Sequence, residues 1–319
     1  MTSNKAWLGS AAAALILGLC GAPAVADAPI AAILADTPTA QPAQAGAPGD
    51  MKMIQDPTLR MTVPVMIDGQ GPFQFMVDTG SDRTVISAEL AARLKLPAGP
   101  MVTMHQSVGV DQVGTVVIDK LAVGQRVVEH INAPALLAAN LGADGMLGVD
   151  SLHDLHVVMD FKAMRLTTSP SMPPTIGLFD SQTIVVQGRS RFGQLILVDA
   201  YVRGVKVYVV LDSGSQITIG NPALLKLLDG AHPPPRPQGD TQITSVTGRK
   251  LMVPVSQVDE THIGALIIRD LPMAFAQLHT FDRFGLTDQP ALLLGMDVMS
   301  QCRLVTVDLR RREATFVLN

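Results

Sequence analysis

The chain has 319 residues, 47% of them hydrophobic, and carries 24 Lys and Arg against 28 Asp and Glu for a formal charge of −4. A slightly acidic chain with no basic run and no aromatics interleaved among cations offers nothing that tracks a phosphate backbone, which excludes nucleic acid as a partner. The apolar content suffices for a substantial core and excludes a disordered chain, and the length fits one large domain or two ordinary ones.

Residues 1–26 read as a secretory signal peptide. Lys5 precedes an apolar run from Ala11 to Leu19, and Ala24-Val25-Ala26 offers the small residues of a cleavage site. Residues 7–26 approach spanning length, so a retained membrane anchor is the competing reading. Cys20 invites lipid attachment, which the bulky Leu19 before it disfavours. The expected location is therefore periplasmic or secreted, with membrane contact only if residues 7–26 stay attached. Cleavage removes Lys5 and Cys20, leaving 23 Lys and Arg against 28 Asp and Glu, a charge of −5, and Cys302 as the one cysteine. Stability is then expected from core burial and not from an internal disulfide. Residues 27–56, rich in Ala, Pro and Gly, read as a flexible lead-in.

Beyond residue 56 the chain repeats itself. One copy runs from Val63 to Gly69, then through Phe73-Gln74-Phe75-Met76-Val77 to Asp78-Thr79-Gly80-Ser81. The other runs from Leu195 to Ala200, turns at Arg203-Gly204, and continues from Val205 through Leu211 to Asp212-Ser213-Gly214-Ser215. Each copy predicts a β-hairpin, two β-rich apolar stretches joined by a Gly-containing turn. Asp78 and Asp212 lie 134 residues apart, and so do Ser87 and Asn221, the predicted N-caps of a helix in each copy. Met146-Leu147-Gly148 and Leu293-Leu294-Gly295 close the copies. Gly148 and Gly295 are 147 residues apart, not 134, so the second copy holds thirteen extra residues, expected at 232–237 and 280–289. Short strands with little helix predict all-β lobes, one over 57–169 and one over 185–319, with a linker over 170–184 around Pro173-Pro174.

A carboxylate ending a buried apolar strand is costly unless the fold needs it, and here it occurs twice. Gly80 and Gly214 leave each turn's backbone unobstructed, free to donate hydrogen bonds to a carboxylate. If the copies pair about a pseudo-two-fold axis, Asp78 and Asp212 face each other, share one proton and titrate together. Such a pair is acid and base at once. It can polarise a water for attack on an amide carbonyl while the protonated partner hydrogen-bonds the carbonyl oxygen, with no metal or cofactor required.

On these two tetrapeptides and the two hydrophobic-Gly segments, residues 60–318 resemble the pepsin and retropepsin superfamily of aspartic peptidases, more like two short retropepsin units fused in one chain than a full-length pepsin. The resemblance implies two β-barrel lobes with pseudo-two-fold symmetry, an active-site cleft between them, and Asp78 and Asp212 as the catalytic pair. It implies that Thr79 and Ser213 brace the two loops across the axis, and that Ser81 and Ser215 hydrogen-bond the outer carboxylate oxygens. Gly148 and Gly295 would let the strand behind each loop pack closely. It also implies a mobile flap, for which residues 107–114, with Gly109 and Gly114, and 244–249, with Thr247 and Gly248, are candidates. Neither holds the tyrosine of a pepsin flap. The expected partner is an extended peptide or protein substrate, held by strand-like pairing in a monomer.

Two rivals remain: a peptide-binding module of this fold without turnover, and lobes that pair between two chains. Two complete tetrapeptides argue against the first, and a short linker with divergent copies against the second. His153 and His156 beside Asp154 lack further ligands for a metal site. Cys302 has no evident His partner, and Asp150 and Asp297, at matched positions, read as structural caps or turn residues and not as catalytic.

Overall fold

A computed structural model describes residues 50–55, 61–152, 154–171 and 182–319. The expected signal peptide, most of the expected lead-in, the linker segment 172–181 and His153 lie outside the described residues.

In Met61–Ile67 every second side chain, Met61, Val63, Val65 and Ile67, is fully buried. This is the period-two alternation of a strand with one face on a core. The strand pairs antiparallel with Gln70–Val77, which runs parallel to Gly145–Leu147. Gly145–Leu147 pairs with Val85–Ser87, that strand with Arg126–Leu136, and Arg126–Leu136 with Thr115–Val123. Pairing of Thr115–Val123 with Met61–Ile67 then closes a six-stranded barrel.

The second half repeats this order: Gln194–Leu197, Tyr208–Leu211, Ala291–Leu294, Ile219–Gly220, Leu266–Phe275, Lys250–Ile263 and Ala200–Val202. Here the closing strand is interrupted at Val198-Asp199. The inner strands Gly145–Leu147 and Ala291–Leu294 are buried along their whole length, which is why they read as unbroken apolar runs. Ser87 and Asn221 cap the helices Ala88–Arg93 and Pro222–Asp229, their side-chain oxygens accepting from Leu90 N (3.1 Å) and Leu224 N (2.9 Å).

Six antiparallel strands join the halves, in the order Asp50–Lys52, Arg165–Pro170, Leu155–Asp160, Leu304–Asp308, Glu313–Val317 and Thr183–Arg191. The seam between Leu155–Asp160 and Leu304–Asp308 pairs matching strands of the two copies. Cys302 is buried nearby in the core, and burial pushes its thiol up to about 11, which suits an inert thiol.

The lead-in ends earlier than residue 56. Asp50–Lys52 pairs with Arg165–Pro170, and Ile54–Gln55 with Met61–Ile67, because Met51 and Met53 supply apolar side chains that bury in the main core. Met53 is 1% exposed. Met53→Ala is expected to cost about 2–4 kcal/mol in urea unfolding. A change below about 0.5 kcal/mol, the size of an exposed substitution, would mean that the segment contributes nothing to the core.

Candidate active site

Each catalytic-type loop leaves the end of an inner strand. Asp78 follows Gln70–Val77 and donates its N–H to the Leu147 carbonyl (3.0 Å), while Asp212 follows Tyr208–Leu211 and donates to Leu294 (3.1 Å). The parallel neighbour thus fixes where each strand ends, and the two loops meet across the pseudo-two-fold axis. Thr79 N–H donates to Ser213 Oγ (3.0 Å), and Ser213 N–H donates to Thr79 Oγ1 (3.2 Å). Thr79 Oγ1 in turn donates to the Leu211 carbonyl (3.1 Å), and Ser213 Oγ to that of Val77 (2.9 Å). Four hydrogen bonds among buried groups therefore lock one loop to the other. Gly80 and Gly214 admit the opposing carboxylates. A Cβ at Gly80 would lie 2.5 Å from Asp212 Cγ, and one at Gly214 would lie 2.5 Å from Asp78 Cγ.

Each carboxyl lies against the glycine of the opposite loop, and the two groups face each other closely enough to shift one another's titration. Asp78 Oδ1 accepts from Gly80 N–H (2.7 Å), and Asp212 Oδ1 accepts from Gly214 N–H (3.0 Å) and Ser215 N–H (3.1 Å). Burial and then the charge of Asp212 hold Asp78 well above the usual carboxylate range. Burial also raises Asp212, but the N–H groups of Gly214 and Ser215 and the facing Asp78 carboxyl oppose that shift. Both carboxyls are raised and the pair titrates as a unit, so one proton is shared between them.

Behind the loops lies a second repeated layer. Thr84 N–H and Oγ1 donate to Asp150 Oδ1 (2.9 and 2.7 Å), and Thr218 N–H and Oγ1 donate to Asp297 Oδ2 and Oδ1 (2.8 Å each). The same hydroxyl oxygens accept from Gly148 and Gly295 N–H, at 3.2 Å in both halves. A Cβ at Gly148 would come within 2.5 Å of the Arg83 carbonyl oxygen, and one at Gly295 within 2.6 Å of Ile217. Asp150 and Asp297, read from sequence as structural caps or turn residues, therefore anchor the loops that carry Asp78 and Asp212. Thr84 and Thr218 stand 134 residues apart, the offset of the aspartates themselves, and that signal in the sequence could have found them.

Ser215 reaches the Asp212 carboxylate through its backbone N–H, but the hydroxyls of Ser81 and Ser215 do not serve the carboxylates as expected. They donate within their own turns, to the Arg83 carbonyl (2.9 Å) and the Ile217 carbonyl (2.8 Å). A hydroxyl has one proton to give, so both serine hydroxyls are spent locally and backbone N–H groups serve the carboxylates instead.

A family model of gag-polyprotein aspartyl protease matches residues 63–154, and a second model, aspartyl protease, matches residues 198–298. Together they span more than half of the chain, one on each repeat. The chain belongs to the retropepsin-like aspartic peptidase family. A search of the curated proteins finds no match.

Two hairpins of this retropepsin-like fold roof the dyad. The first joins Val102–Gln106 to Gly109–Val113, and the second joins Arg236–Thr244 to Lys250–Ile263. Gly109 (φ 94°) and Gly248 (φ 86°) occupy left-handed positions at the tips. Gly114 lies instead at the base of the first hairpin, where the chain enters the barrel. The thirteen extra residues of the second copy lengthen its hairpin and the segment between the helix His279–Arg283 and the strand Ala291–Leu294.

The two tips are latched together. Thr247 N–H donates to Gln106 Oε1 (3.1 Å), Thr247 Oγ1 to Asp111 Oδ2 (3.0 Å), and Arg249 grips both oxygens of Asp111. The Arg249 guanidinium holds the Asp111 carboxyl below its ordinary value. Asp111→Asn is expected to speed amide exchange at residues 107–109 and 246–248 about tenfold, read by hydrogen-exchange mass spectrometry. Unchanged exchange would mean that the ion pair does not restrain the tips.

Below the hairpins lies a cleft of about 450 Å³ whose lining includes both aspartates. Other lining groups escaped the sequence reading because their partners lie in the opposite lobe. Arg283 donates to both oxygens of Asp82 (2.9 and 2.7 Å), His105 Nδ1 lies 2.8 Å from His279 Nε2, and Gln194 Nε2 donates to the Gly80 carbonyl. No local spacing brings such residues together.

Proposed function

We propose that the protein is an exported aspartic endopeptidase that hydrolyses peptide bonds with a water activated between Asp78 and Asp212. The observation that carries this reading is the facing, coupled carboxyl pair on the floor of a cleft roofed by two latched hairpins. Ionised Asp212 takes a proton from the water as its oxygen attacks the amide carbon. Protonated Asp78 hydrogen-bonds the carbonyl oxygen, and the proton then passes to the leaving amine. Because the loops are already locked together, the pair needs no rearrangement before reaction.

Both aspartates come from one chain, which supports action as a monomer. Residues 1–26 support export, and an N-terminus at Asp27 on the protein recovered from the periplasm or medium would bear this out.

The test is digestion of a mixed peptide library from pH 3 to 8 with fragments identified by mass spectrometry. Cleavage in the acidic part of the range is expected. A folded protein that cuts nothing at any pH would favour the binding-module reading.

A further inference from the structure

The internal repeat lets the two ends of the cleft be compared position by position, and they are chemically unlike. At one end the first hairpin meets the helix His279–Arg283. There the rings of His105 and His279 stack with centroids 5.0 Å apart, and Arg283 clamps Asp82. Gln194, 2% exposed, completes this end: its Nε2 donates to the Gly80 carbonyl and lies 3.5 Å from Asp82, while its buried Oε1 has no partner among the described residues.

At the other end Gln216 stands where Asp82 does, 134 residues later. Ile243 precedes the Ser245-Val246 tip as His105 precedes Ser107-Val108. The helix Ala138–Leu141 begins on Ala138 where its counterpart begins on His279, and it carries no charged side chain. Gln216, Ile243 and Asn140 line the cleft there.

We propose that this asymmetry makes the cleft read the direction of its peptide, with an acidic side chain entering the Asp82–Arg283–His105–His279 end and an aliphatic one entering the Gln216–Ile243 end. The inference rests on the peptidase reading and gives it a substrate class. Arg283 pairs with Asp82, so the remaining polarity of that end comes from the stacked imidazoles of His105 and His279, whose ring N–H groups are donors. The side chains facing His105 are His279 and Arg283 from the helix and Asp82 from the loop that follows Asp78, and Arg283 already holds the one carboxylate among them. A substrate carboxylate is attracted there and a lysine repelled. At the Ile243 end a charged side chain would lose water and gain no partner. The unpartnered Gln194 Oε1 adds an acceptor for a substrate N–H at the charged end. In a truly two-fold cleft the side-chain sites on either side of the dyad would be identical.

Two peptides of equal composition are compared at pH 5, one with Glu before and Ile after the cleaved bond, the other with the two exchanged. The wild-type kcat/KM values are expected to differ about tenfold or more, the scale of one charge-assisted hydrogen bond. In His105→Gln/His279→Gln the ratio is expected to fall below about twofold. A merely structural defect lowers both rates and leaves the ratio intact, and an intact ratio would overturn the role given to the histidines. Equal rates in the wild type would overturn the proposal outright. If the wild type cuts neither peptide, their affinities for Asp212→Asn are measured by fluorescence anisotropy. Unequal affinities then sustain directional reading while the peptidase reading falls, and equal affinities sink both.

Discussion

Asp78→Asn and Asp212→Asn are each expected to lower kcat/KM by about 10³-fold or more, with kcat carrying the loss, because either change removes the acid or the base from a pair that works as one unit. The same variants report on stability with the opposite sign. Burial and the Asp212 charge raise the Asp78 carboxyl well above 3.8, its ordinary value. The folded protein therefore holds this proton more tightly than the unfolded chain does. Its contribution to stability is fully present below pH 3.8 and is lost as pH rises through the folded value. An amide at position 78 cannot ionise, so Asp78→Asn is expected to be more stable than wild type at pH 7, the gap closing towards pH 3. Thermal unfolding across pH 3–8 measures both curves. A wild type more stable than the variant at pH 7 would mean that the ionised pair is stabilised by its surroundings and is not an acid-base couple held under strain.

Thr79→Ala and Ser213→Ala are expected to cost about 2–5 kcal/mol each in denaturant unfolding, since each leaves one N–H and one carbonyl buried without a partner. For Thr79 these orphans are Ser213 N–H and the Leu211 carbonyl; for Ser213 they are Thr79 N–H and the Val77 carbonyl. Both residues belong to one network, so the double variant is expected to lose less than the sum of the singles. Activity should fall at least about tenfold in either single variant, because carboxyls misplaced by a fraction of an ångström no longer share a proton or aim a water. Thr79→Ser keeps the hydroxyl and should stay near wild type in both measurements. If Thr79→Ala changes stability by less than about 0.5 kcal/mol, the cross-loop bonds are incidental contacts between lobes held together elsewhere, chiefly by the six-stranded seam.

Much of this architecture was legible because it is written locally and written twice. Alternation in 61–67, the apolar run ending at each aspartate, and the capping residues Ser87 and Asn221 are periodic or nearest-neighbour signals, and the offset of 134 ties them together. The errors share a cause. Ser81 and Ser215 have hydroxyls that could serve a carboxylate or a nearby carbonyl, and only the turn geometry shows that the carbonyl at 83 or 217 is the partner. Residues 50–55 read in sequence as part of the Ala- and Pro-rich stretch that precedes them, yet Asp50–Lys52 and Ile54–Gln55 have strands to pair with and Met51 and Met53 a core to enter.

The sequence by itself determined that this protein consists of two copies of one all-β unit, each ending a strand in an aspartate that a buried apolar run would not otherwise tolerate. Only the tertiary structure decided what crosses between the copies: the Thr79–Ser213 lock, the Asp111–Arg249 latch, and the Asp82–Arg283 and His105–His279 pairs that set one end of the cleft apart from the other. Each of those contacts joins residues more than 130 positions apart, with partners chosen by how two barrels dock and not by any spacing along the chain.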